Sequence, residues 1–198
     1  MDWWEYEKVL SADGWRILCG VDEAGRGCLA GPVYAAAVIL PPCLMIEGLN
    51  DSKKLTAIQR ERLYGIIIEK AVSYAVASAS EQEIDELNIL NATYLAMNRA
   101  IQKLEPTPEI ALIDGNRAKG IQYPSRCIVG GDGKSAQIAA ASILAKVSRD
   151  RFMRDLSEEY PEYAFHIHKG YGTTVHYERI REYGPSSVHR RTFLKKLH

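Results

Sequence analysis

Between residues 32 and 40 the chain contains the run Val33-Tyr34-Ala35-Ala36-Ala37-Val38-Ile39, in which the only polar side-chain group is one phenol. A strand this apolar can leave neither face in water, so it must lie inside a sheet covered on both sides. Further short apolar runs alternate along the chain with segments of helical period, which predicts an α/β domain.

Strands are predicted over residues 16–21, 32–40, 74–78, 109–113 and 126–129. A short helix over 2–10 precedes them, closing before Ser11-Ala12-Asp13-Gly14. Thr56-Ala57-Ile58-Gln59 has the form of a capping box and opens a helix to about residue 71. Ser80-Glu81-Gln82-Glu83 is a second such box. It opens a longer helix bearing Ile84, Leu87, Leu90, Tyr94, Ile101 and Leu104 on one face, stopped by Pro106 and Pro108. A third helix starts near Ser135 and runs through Ala145, then on to residue 160 with or without a break. Past Pro161 the chain turns basic and His-rich, with helical stretches near 174–182 and 185–192. The expected division is an N-terminal extension over 1–14, a main domain over 15–160, and a mostly helical segment over 161–198 packed on that domain.

The 198 residues suffice for one core without staples. Cys19, Cys28, Cys43 and Cys127 form no Cys-x-x-Cys pair, so a zinc ribbon, redox site or disulfide framework is unsupported, and buried reduced thiols are expected. No run is long and apolar enough for a membrane span, and the first residues lack the pattern of a secretory signal, so a cytoplasmic protein is expected. Basic and acidic residues number 25 each, but unevenly: residues 1–116 carry 10 basic and 17 acidic groups, residues 117–198 carry 15 and 8. Such a split suits a polyanion meeting one face.

The acids fall in informative places. Asp22-Glu23 closes the first predicted strand, Asp114 closes the fourth, and Asp132 follows the fifth in Gly130-Gly131-Asp132-Gly133. Ends of core strands face the crevice where open α/β sheets bind ligands. Carboxylates converging there repel one another, and oxygen-only ligation of Mg²⁺ or Mn²⁺ relieves the repulsion. Two such ions about 3.5–4 Å apart would clamp the attacking and leaving oxygens of a phosphodiester displacement. Asp22 and Glu23 can reach one centre only if their strand ends or bends, because neighbours on a strand point to opposite faces. Any single acid could equally be a turn or cap residue, Asp132 above all, ahead of the helix near Ser135.

Gly25-Arg26-Gly27 would let backbone approach a ligand, with an Arg at hand for phosphate, although a tight turn has the same form. Gly133-Lys134-Ser135 ends like a P-loop, but Ile128 occupies the position of the required first glycine.

Taken together, these residues resemble bacterial ribonuclease HII. The resemblance is carried in order by Gly20-Val21-Asp22-Glu23-Ala24-Gly25-Arg26-Gly27 with Leu29-Ala30-Gly31-Pro32-Val33, Asn50-Asp51-Ser52-Lys53-Lys54-Leu55 and Ile113-Asp114-Gly115. It continues through Gly131-Asp132-Gly133-Lys134-Ser135, the Ala-rich stretch from Ile138 to Val147, and Arg149-Asp150-Arg151. His168-Lys169-Gly170-Tyr171-Gly172-Thr173 and His189-Arg190-Arg191-Thr192-Phe193 complete it.

The resemblance implies an RNase H-like fold, a mixed five-stranded sheet flanked by helices. It implies hydrolysis of RNA in RNA/DNA hybrids and nicking at single ribonucleotides in duplex DNA, leaving 5′-phosphate and 3′-hydroxyl ends. Asp22, Glu23, Asp114 and Asp132 would be the catalytic carboxylates binding Mg²⁺ or Mn²⁺, two ions with substrate bound. Gly25, Arg26 and Gly27 would read the 2′-hydroxyl, Tyr171 would pack on the sugar, and Lys53, Lys134 and Lys146 are candidates for phosphate contacts. A monomer without a clamp-binding C-terminal peptide is expected. His166 and His168 are taken as surface or phosphate-proximal residues. Two rivals stand beside this reading: a structure-specific metal-dependent nuclease of the same fold, and a non-catalytic hybrid-binding protein.

Overall fold

In a computed structural model of the chain, residues 2–195 are described; residue 1 of the N-terminal extension and residues 196–198, where a C-terminal clamp peptide would end, lie outside them. Five strands form one mixed sheet: β1 (Leu18–Ala24), β2 (Val33–Ile39), β3 (Ser73–Ala79), β4 (Ile110–Asp114) and β5 (Ser125–Ile128), in the order β3-β2-β1-β4-β5. β1 runs antiparallel to β2, with Gly20 opposite Val38, and parallel to β4, with Leu18 opposite Ile110. β4 and β5 are parallel, so the C-terminal ends of β1, β4 and β5 share one edge.

The helices are α1 (Glu5–Ala12), α2 (Ala57–Lys70), α3 (Glu81–Leu87), α4 (Ile89–Gln102), α5 (Ala136–Glu159), α6 (Phe165–His168) and α7 (Thr174–Tyr183). The alternation of β2 explains its composition. Ala35 and Ala37 pack toward Ala96, Met97, Ala100 and Ile101 of α4, while Ala36 and Val38 pack toward Ala140, Ile143 and Leu144 of α5. Small side chains let both helices lie close. At Gly20 the backbone of Gln137 and Ile138 comes so near that a Cβ could not fit, so α5 rests directly on β1.

Both capping boxes form, Thr56 with Gln59 and Ser80 with Glu83. The long helix expected after Ser80 is instead two. Asn88 takes a positive φ of 68°, and its side chain accepts the N–H groups of Leu90 and Asn91 to start α4. α5 is unbroken for 24 residues. Residues 185–190 are not helical, and only a short turn at Arg191–Phe193 follows. This segment instead makes a turn at Ser187-Val188 and then pairs with the loop after β1. Gly31 N–H donates to the Val188 carbonyl and Arg190 N–H to that of Leu29. Bridges Cys28–Tyr171 and Ala30–His189 extend the same contact. Leu29, Met153, Phe165 and Ile180 form an apolar cluster beneath it. Of the cysteines, Cys19 and Cys28 are buried, but Cys43 is exposed in a positive-φ turn and Cys127 is half-buried.

Candidate active site

β1 does not end at Val21, as its apolar run suggested. Asp22 to Ala24 pair on with Ala36 to Tyr34 of β2, so the strand carries its two acids within it. Adjacent residues then face opposite ways, and the structure separates them. Oxygens of Asp22, Asp114 and Asp132 lie within 4.8 Å of one another. Glu23 stands beside that cluster, its carboxylate accepting from Arg26 Nη1 at 3.2 Å. A cavity of about 250 Å³ opens on its side, lined by Glu23, Arg26, Asp114, Asn116 and Arg117 against Tyr94 and Met97 of α4.

Asp132 lies in a short turn at Gly131–Gly133. It is not the cap of α5. Ser135 fills that role, its Oγ accepting the Ile138 N–H at 3.2 Å, which leaves the Asp132 carboxylate for the cluster. Asp114 holds the turn in place by accepting the Gly131 N–H.

Burial first, then the charges of Glu23 and Asp114, push the Asp22 carboxyl well above the usual carboxylate range. Asp132 is raised by burial and by Asp114. Glu23 is raised by burial, against the pull of Arg26. Among the described residues the one ammonium at hand is Lys53, whose Nζ is 3.4 Å from Asp132 Oδ2. Burial works against that charge, but Asp132 and Asp22 outweigh it and hold the Lys53 pKa above its ordinary value. One lysine cannot balance three carboxylates, two of them buried and Asp114 half-buried. A purely oxygen donor set with surplus negative charge fits a hard divalent cation.

The other lysines point elsewhere. Lys134 donates to the Val129 carbonyl at 2.6 Å, and Lys146 pairs with Asp150 at 2.6 Å. Gly25 has a φ of 91°, and Arg26 and Gly27 are exposed. Tyr171, half-exposed, is bridged to Cys28 just past this loop, with Lys146 Nζ 5.8 Å and the Arg149 guanidinium 5.9 Å from its ring centre. The glycine loop and the tyrosine therefore form one surface.

Two groups escaped the sequence reading. Arg149 and Arg190 are fully buried under the glycine loop. His168, His176 and His189 form a buried cluster, with the His168 and His176 rings stacked at 4.2 Å, so His168 is no surface residue. His176 Nε2 lies 3.1 Å from His189 Nε2, and His176 Nδ1 lies 2.9 Å from the Tyr171 carbonyl. All of these but His176 sit in the blocks that carry the resemblance, but no local spacing marks an arginine or histidine as buried.

The mixed sheet with acids gathered where its parallel strands end defines an RNase H-like protein, an endonuclease of the ribonuclease H class. The family model for Ribonuclease HII matches residues 19–196. Ribonuclease HII of Caldicellulosiruptor saccharolyticus is 52% identical over 196 residues, covering 99% of this chain and 96% of that protein. That of Burkholderia lata is 56% identical over 177 residues, covering 89% and 83%. The crystal structure of ribonuclease H2 from Pyrococcus horikoshii superposes with a TM-score of 0.74 at 28% identity, covering 89% of this chain and 93% of that one. The chain belongs to the ribonuclease HII family, whose members are endoribonucleases acting on RNA/DNA hybrids. Among the described residues no helix is long and apolar enough to cross a membrane.

Proposed function

We propose that this protein cuts the RNA strand of hybrids and also nicks duplex DNA on the 5′ side of a single embedded ribonucleotide, leaving 5′-phosphate and 3′-hydroxyl ends. The observation that carries this reading is the meeting of Asp22, Asp114 and Asp132 beside a glycine loop with unspent amides. Asp22, Asp114 and Asp132, with Glu23 alongside, would hold Mg²⁺ or Mn²⁺, two ions with substrate bound, which supply charge neutralisation at the phosphate and acidify water for in-line hydrolysis.

The chain's own residues bind and orient. Gly25, Arg26 and Gly27 contact the 2′-hydroxyl, the group that distinguishes RNA from DNA, and the adjoining backbone. Tyr171 packs its ring against the neighbouring sugar. Lys53 reaches toward phosphate from beside Asp132, and Lys134 and Lys146 lie further out along the duplex. The basic excess of the C-terminal half supports a duplex-facing surface whose affinity falls as salt rises. No side-chain nucleophile is needed. The protein acts as a monomer in the cytoplasm, in ribonucleotide removal from DNA.

The test uses a labelled duplex with one ribonucleotide beside an all-DNA control, each with Mg²⁺, Mn²⁺ or EDTA, for wild type and Asp114→Asn. A metal-dependent nick confined to the ribonucleotide duplex and lost in the variant is expected. Equal cutting of both duplexes would mean a structure-directed nuclease. Binding with no cut in any metal would mean a hybrid-binding protein.

A further inference from the structure

Two guanidinium groups lie inside this protein with no carboxylate in contact. Arg149 is 1% exposed and Arg190 is 0% exposed. Among the described residues neither makes an ion pair. Glu81 and Asp85 act on Arg190 only through space. Every bond the two make is to a main-chain carbonyl. Arg149 donates from Nε to Pro32 at 3.0 Å, from Nη1 to Lys169 at 2.8 Å and from Nη2 to Ala30 at 3.1 Å. Arg190 donates from Nε to Gly31 at 2.9 Å, from Nη1 to Arg26 at 2.9 Å and from Nη2 to Gly25 at 2.7 Å. Burying a charge is costly, and where packing alone is at stake an apolar side chain often serves as well.

What this arrangement achieves follows from the planarity of the peptide. In a trans unit the carbonyl and the next N–H point in opposite directions. By gripping the carbonyls of Gly25 and Arg26 from the interior, Arg190 aims the N–H groups of Arg26 and Gly27 outward. Both residues are exposed, and neither amide donates a hydrogen bond among the described residues. Arg149 passes directly beneath Gly25, so close that a Cβ there would collide with its Nε, and also lies under the Tyr171 ring.

We infer that Arg190, backed by Arg149, is a positioning residue for ribonucleotide specificity, holding two outward amides in the geometry that a 2′-hydroxyl meets. The inference rests on the proposed reading that this loop contacts the 2′-hydroxyl. It adds that the discrimination is set from beneath by side chains that never touch substrate.

The experiment measures affinity for a duplex with one ribonucleotide and for the all-DNA duplex, both in an Asp114→Asn background that cuts too slowly to deplete either duplex. Arg190→Lys keeps the charge and loses the forked grip on two adjacent carbonyls. The ratio of the two affinities is expected to fall about tenfold, the factor set by losing one good hydrogen bond. Affinity for all-DNA duplex and, in an otherwise wild-type chain, the stabilisation of Arg190→Lys by Mn²⁺ should stay as they are. A purely structural role would lower both affinities together. A ratio unchanged by Arg190→Lys overturns the inference. A ratio near one with Arg190 intact would instead sink the reading of the glycine loop. Should Arg190→Lys fail to fold, Arg149→Lys is measured in the same way, and an unchanged ratio there overturns the inference equally.

Discussion

The Asp114 carboxylate accepts the Gly131 N–H at 2.7 Å, so the last residue of β4 fixes the turn that presents Asp132. Two acids of one cluster are thus set by a single bond, and Asn at 114 can still accept it.

Asp114→Asn should therefore fold and lose cleavage by roughly 10²–10³-fold, the scale of removing one group that stabilises transition-state charge. In the metal-free protein it should melt higher than wild type, since one crowded charge is gone. Asp22 and Asp132 are held above the usual carboxylate range, so their contribution to stability is present at low pH and is lost as pH rises through those raised values. The gain in melting temperature on adding Mg²⁺ or Mn²⁺ should accordingly grow with pH. Thermal melts with metal and with EDTA across pH 5 to 8 check both points. A metal-induced shift that is flat in pH would contradict the crowding argument.

The histidine cluster works in the opposite sense. Burial pushes the His176 and His189 imidazoles down to about 4, whereas unfolded chains protonate near 6.5. The stability of the neutral pair is complete above 6.5 and is lost as pH falls toward 4, at about 1.4 kcal/mol per pH unit for each imidazole. Urea unfolding at pH 7, 6 and 5 should show a shallower slope for His176→Gln than for wild type. Equal slopes would mean that these rings titrate normally.

Glu7 of α1 is buried, and its Oε1 accepts from Ser135 Oγ at 2.5 Å while Oε2 has no partner among the described residues. Burial raises its carboxyl, so its support for the fold weakens as pH climbs through that raised value. Glu7→Gln should match or exceed wild type at alkaline pH. Glu7→Ala strands the Ser135 hydroxyl and should cost about 1–3 kcal/mol. Denaturant midpoints at pH 8 separate the two.

Thiol labelling of the native protein should find Cys43 fast, Cys127 slow, and Cys19 and Cys28 silent until denaturant is added. Burial pushes the Cys19 thiol up to about 12 and also raises Cys28. Mass spectrometry of the labelled peptides gives the order directly.

The fold was legible wherever a signal was local. Capping boxes at Thr56 and Ser80, the apolar run of β2 and the acids near strand ends all act through neighbours in sequence. What escaped depends on distant partners. The extension of β1 through Ala24 is decided by the antiparallel pairing with β2, which is why Glu23 stands to one side of the three aspartates, on the cavity it shares with Asp114. The break at Asn88 lies within an otherwise continuous apolar period and shows only as an Asn able to take positive φ and cap. The non-helical course of residues 185–190, read as helical, goes with pairing to residues 29–31 more than 150 positions earlier. Arg149 and Arg190 are invisible for the same reason, because carbonyls carry no sequence signature.

β1 joins β2 on one side and β4 on the other, with Leu18 opposite Ile110. A growing chain can close the β1–β2–β3 meander early, but Asp22 then waits until Asp114 and Asp132 have been synthesised, and the loop after β1 waits for Arg190. A polypeptide truncated before residue 132 therefore carries no complete set of acids, and one truncated between residues 132 and 190 carries the acids without the guanidinium that grips the loop after β1.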